Sequence, residues 1–204
     1  MRTMTPESAI HAYQMIPLDV AGYILGSALL VGHLIALMGG TTARNFVQSS
    51  PRNHLLAQIT LGLAFAWFFL LVAPADKGLI SSLRVDLAEF EGVRWLLQLG
   101  CPLFFILLVT QVKELLFPRA LGFLGLMLVA PFVTAAFLKL PQTRLLIPIW
   151  GYAVVILCLI WVGKPYVYRR MVDWATATPA RWTQLCLGGI VYGAAILICA
   201  ICWW

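Results

Sequence analysis

Charge is scarce in this sequence. Of its 204 residues only 11% are Asp, Glu, Lys or Arg, where a soluble domain carries about a quarter. Acidic residues are the scarcest, 8 against 14 basic ones, and none falls between Asn45 and Pro74. A chain that is 62% hydrophobic has too little polar surface to coat a water-soluble globule. Disorder, a collagen-like fibre and a disulfide-rich secreted module are excluded with it. Runs that alternate apolar with polar residues are missing, which excludes an outer-membrane barrel. The connections hold no cysteine. Cys101, Cys158, Cys186, Cys199 and Cys202 all fall in apolar stretches, where a thiol acts as a small hydrophobe. No dense basic run with interleaved aromatics occurs, so the net charge of +6 is no nucleic-acid footprint. A basic n-region followed by a cleavage site is also missing, so the first apolar stretch is expected to serve as the targeting signal.

What the sequence has is long apolar stretches. Six can cross a hydrocarbon core that takes about 20 helical residues: Leu18–Gly40, His54–Ala73, Trp95–Val112, Leu121–Leu140, Ile147–Gly163 and Trp182–Trp204. The fold expected is an all-α polytopic bundle forming one transmembrane domain over residues 1–204. Connections 1–2, 3–4 and 5–6 hold Arg44, Arg52, Lys113, Arg119, Lys164, Arg169, Arg170 and Arg181 against Glu114 and Asp173. The tail and connections 2–3 and 4–5 balance their charges. Basic connections stay in the cytoplasm, so the expectation is a bacterial inner-membrane protein with both termini outside, in the periplasm.

Shorter elements are expected between the spans. Thr5-Pro6 and Thr178-Pro179 read as N-caps with proline at the first helical position; the first would open a surface helix over Pro6–Met15. In the 2–3 connection, Asp76–Arg94, residues Leu79, Leu83, Leu87 and Phe90 share one helical face, the pattern of an amphipathic surface helix. The 5–6 connection mixes Tyr166, Tyr168 and Trp174 with Arg169 and Arg170, as an interface belt or a partner or lipid-headgroup contact does. Ala28, Gly32, Ala36 and Gly40 recur every four residues, and Gly22/Gly26 and Gly189/Gly193 repeat the spacing. Small residues let membrane helices approach closely, so Gly32, Ala36 and Gly40 are read as a partner or lipid contact, together with Tyr166, Arg169, Arg170 and Trp174.

Candidate chemistry is thin. His33 lies inside the first span, and an ionisable residue there is a functional hypothesis: a quinone contact, an axial ligand to a haem b shared with another subunit, or a neutral histidine bonded within the bundle. His54 opens the second span about 10 Å away in depth at 1.5 Å per residue, a poor match for a haem pair. Cys199 and Cys202 form a C-x-x-C, but at a helix C-terminus, where the dipole disfavours thiolate. Gly39–Arg44 resembles the opening of the phosphatidyl-alcohol transferase motif, yet the aspartates that hold its metals are absent. No G-x-S-x-G, intramembrane-protease motif or buried charge relay occurs, and no inverted repeat shows.

The reading this favours is a non-catalytic subunit of a larger inner-membrane complex, of the respiratory, electron-transfer kind. It would pack against other membrane subunits and lipids, contribute to a quinone or lipid site, and hold no metal. One alternative is a small oligomeric transporter or channel. Another is a membrane-embedded lipid-modifying enzyme gripping an anionic headgroup with Arg44, Arg52, His54, Arg169 and Arg170.

Overall fold

The computed structural model describes residues 12–73, 92–111 and 115–204. These form eight α-helices and, among the described residues, no strand: α1 (Leu18–Met38), α2 (Gly40–Ser49), α3 (His54–Leu71), α4 (Arg94–Gln111), α5 (Leu116–Ala136), α6 (Leu146–Gly163), α7 (Pro165–Thr176) and α8 (Pro179–Cys202). All but α2 and α7 are long and apolar enough to cross a membrane. Their 18 to 24 residues make roughly 27–36 Å at the helical rise, against a hydrocarbon core of about 30 Å. The protein is an all-α integral membrane bundle. The amphipathic face at Leu79–Phe90 and most of the expected Pro6–Met15 helix lie outside the described residues; Ala12–Met15 is a 3-10 turn.

Three helix ends in particular differ from the sequence reading. The fourth span starts at Leu116 rather than Leu121 and stops at Ala136 rather than Leu140. Pro118 falls in the first helical turn, where its missing N–H costs nothing. At the far end Phe137 is extended and Leu138 takes φ 52°, which ends the helix ahead of Pro141. The first span does not run through Gly40. That glycine takes φ +48°, a conformation glycine adopts without strain, and the chain restarts there as α2.

The described helices pack in two groups. Helices α1 and α8 pair along much of their length, and α5 packs between α3 and α6. Gly26 and Gly193 set the α1–α8 distance: a Cβ on Gly193 would lie 2.7 Å from the Leu30 nitrogen and 2.9 Å from the Gly26 oxygen. One apolar cluster joins Leu18, Ala21, Leu25, Ala135, Ile147 and Ile196. It lies toward the end where Trp204 Nε1 donates to Thr143 Oγ1 at 2.8 Å and the Tyr192 hydroxyl donates to the Leu146 carbonyl at 2.6 Å. A second cluster joins Ala57, Leu61, Phe117, Ala120, Tyr168 and Val172 at the opposite end, which bears the basic connections.

Helix α4 is held differently. Near its start the buried Arg94 donates through Nη1 to the Ala73 carbonyl at 3.1 Å, and Gln98 Nε2 donates to the Val72 carbonyl at 2.8 Å. One turn on, the Cys101 thiol points at the Phe65 carbonyl at 3.5 Å. Pro102 follows inside the helix. Beyond it α4 presents Leu103, Phe104, Ile106 and Leu107 outward, all exposed.

Candidate functional site

Helix α7 builds the site. Its period of four buries Tyr168, Val172 and Thr176, leaving Arg169, Arg170 and Asp173 on the open face. The buried face lies against the start of α5 and against α2, α6 and α8, so α7 crosses the basic end of the bundle. Tyr168 meets Phe117 edge-on with centroids 5.9 Å apart, and Trp161 at 5.0 Å. Its hydroxyl lies 3.2 Å from Ser50 Oγ, and Ser50 spends its one proton on the Val47 carbonyl at 2.7 Å. Tyr168 is therefore the donor in the pair. Burial pushes its hydroxyl above the ordinary tyrosine range. Through this contact the 3-10 turn Ser50–Arg52 is fixed beside α7.

The consequence is a cavity of ≈ 430 Å³, a size usual for small-molecule sites. Arg52, His54 and Arg169 line it, over a floor of Ala57, Leu116 and Phe117. Two helix starts meet there. Asn53 caps α3, its Oδ1 accepting from the Leu56 amide at 3.0 Å; α5 starts from Leu115 at φ 53° with no side-chain cap. Helix starts carry partial positive charge and free amide donors. Among the described residues no ion pair engages Arg52 or Arg169. The site thus offers two guanidiniums, an imidazole and two helix starts, a donor set suited to a phosphate or carboxylate. Among the described residues no three His, Cys, Asp or Glu side chains gather as metal ligands do.

The other residues named from the sequence are dispersed. Arg44 lies on α2 away from the cavity lining. The Arg170 guanidinium sits 5.6 Å from the Tyr166 ring centroid and that of Arg181 sits 5.3 Å from the Trp174 ring, cation–π contacts on the surface. His33 Nδ1 lies 2.7 Å from the Leu29 carbonyl; a carbonyl only accepts, so Nδ1 donates to it. The ring fills the notch at Gly189, where any Cβ would overlap it. The Ala36 carbonyl accepts from Trp182 Nε1 at 3.2 Å. Gly32, by contrast, faces open space, as does Gly40. The close helix contact uses Gly22, Gly26 and Gly193, the second small-residue series and not the first.

A second concavity lies along the same α3–α5 seam, deeper in the bundle. It is a crevice of ≈ 840 Å³ walled by α3, α4 and α5, with Ala64, Phe65, Gly100, Leu108, Phe123 and Met127 among its lining. Sequence reasoning missed it. No spacing rule announces a gap that depends on how loosely α4 is held. Buried near the basic end, the Trp161 indole N–H has no hydrogen-bond partner among the described residues. The chain matches no protein-family model, no curated protein and no solved structure.

Proposed function

We propose that this membrane protein binds the phosphate-type headgroup of an anionic lipid in the cavity between Arg52, His54 and Arg169. The observation that supports it is the convergence, at a span end, of two helix starts with two arginines that, among the described residues, no ion pair engages. A span end is where headgroups lie, and the guanidinium fork matches phosphate oxygens in pairs. On the charge bias of the connections this end faces the cytoplasm of an inner membrane. The role is recognition, and the lipid stays in its leaflet while held.

The test is lipid retention by purified protein. Phosphatidic acid is expected to bind at least tenfold more tightly than phosphatidylcholine, measured by native mass spectrometry. Joint substitution Arg52→Ala and Arg169→Ala is expected to weaken it roughly a hundredfold, at about 1.5 kcal/mol or more per charged hydrogen bond. Equal retention of both lipids by the wild-type chain overturns the reading.

The complex-subunit reading draws on a different face. Ala28 and Gly32 turn away from α8 and a Cβ on Gly32 meets nothing, so α1 keeps a smooth strip on which another membrane helix can lie. Gentle purification from native membranes, with an absorbance scan for haem, tests it: a stoichiometric partner supports the reading, and a lone chain sinks it.

A further inference from the structure

We propose that the crevice between α3, α4 and α5 is the chain-binding half of the same lipid site, so that one long-chain phospholipid occupies both concavities. The inference rests on the headgroup reading above and adds the hydrocarbon chain as the second recognised group.

Position is the first argument. Both concavities lie along the α3–α5 seam. On α3 the cavity reaches Ala57 and the crevice begins at Ala64, seven residues or about 10 Å deeper. On α5 the same step runs from Phe117 to Phe123, about 9 Å at that rise. One apolar cluster separates them, with Ala57 turned to the cavity and Phe65 and Leu108 turned to the crevice. A lipid is built in the same order, with charge at the end and hydrocarbon starting a short way below.

Lining and length give the second. The crevice walls are aliphatic and aromatic apart from two sulfurs, the Met127 thioether and the Cys101 thiol, which already points at the Phe65 carbonyl. Nothing there rewards a polar occupant, whereas a chain loses nothing by leaving the bilayer for it. Along α4 the lining runs from Leu96 to Leu108, twelve residues or about 18 Å. A single leaflet is about 15 Å deep, half of the ~30 Å core. A chain anchored at the basic end meets the crevice at Leu108 on α4 and then, about 10 Å below the cavity, between Ala64 and Phe123, with lining to spare beyond that depth. Its upper end, at Leu108, lies one turn from the end of α4, on the headgroup side.

The test separates chain from headgroup. Purified full-length protein in a short-chain detergent is titrated with long-chain lysophosphatidic acid, its short-chain homologue and long-chain lysophosphatidylcholine. The long-chain phosphate is expected to bind at least tenfold more tightly than either of the others. Gly100→Phe fills the crevice from a position where a Cβ meets nothing within 4 Å, and Leu103→Trp fills it from the exposed side. Each is expected to reduce the long-chain phosphate to the affinity of the short one while leaving the short one unchanged; Gly100→Ala controls for helix propensity. Arg169→Ala is expected to weaken both phosphates alike. Affinity independent of chain length, or untouched by both fillers while Arg169→Ala still acts, overturns the chain site and leaves the headgroup site standing. Equal binding of the two long-chain lipids, sensitive to the fillers, overturns the headgroup reading and with it the single-lipid assignment.

Discussion

Helices α1 and α8 meet across glycine, backbone against backbone, with 2.7 Å between the Gly193 Cβ direction and the Leu30 nitrogen. Helices α3 and α4 meet at one end through an arginine and a glutamine and part over an apolar crevice. Both are helix pairs in one bilayer, with no hydrophobic drive to join them. The difference shows what does the joining. Where side chains are absent, close packing holds a pair along its length; where they are large, a few polar bonds at the edge hold it and space remains between. The bundle is thus rigid on one side and receptive on the other.

The comparison breaks most sharply at Gly193. Gly193→Leu drives a side chain into backbone on two sides, and overpacking of that kind costs up to about 3 kcal/mol or more. The folded fraction by detergent size-exclusion is expected to collapse, while Gly100→Leu in the crevice is expected to leave it intact. Arg94→Met is next. It removes a charged bond to the Ala73 carbonyl, with an expected loss of about 2 kcal/mol in thermal unfolding and faster amide exchange at the start of α4.

Smaller effects sharpen the picture at the basic end. Tyr168→Phe deletes the bond to Ser50 and is expected to cost about 1 kcal/mol, with weaker lipid retention as Arg52 loses its fixed place. The wild-type protein should also show an alkaline limit. Tyr168 is held above its ordinary value of 10.0, so its contribution is complete below the unfolded-state value and is lost as pH rises through the folded one. Tyr168→Phe should flatten that limb of the stability profile. Least of all, Trp161→Phe removes a buried N–H that has no partner among the described residues and is expected to be neutral or to stabilise by up to about 1 kcal/mol.

The spans were legible because hydrophobic length is a strong local signal, and Thr178 caps α8 as expected, accepting from the Arg181 amide. The two short helices were not. Segments 40–49 and 165–176 are polar enough to read as connections, and their helical period pays off only against the bundle end they cover. The basic residues of the cavity stand out in the sequence as topological charges. That Arg52, His54 and Arg169 share a cavity while Arg44 and Arg170 do not is set by Ser50 meeting Tyr168 across 118 positions, a contact no local pattern encodes. Likewise the glycine spacing showed that α1 would pack closely but not which of its two small series would do it.

Pro102 gives α4 a mechanical character. It cannot donate the helical bond to the Gln98 carbonyl, and it stands directly after the three residues that fasten α4 to α3. The helix is therefore built like a panel on a hinge: its fastened edge is held by polar bonds, and among the described residues its other leaf, from Leu103 to Gln111, meets α3 through apolar contacts such as Phe105 on Phe65. Protection of amides against exchange should step down across Pro102, and a bilayer that thins or thickens will move that leaf before it moves anything else in the bundle.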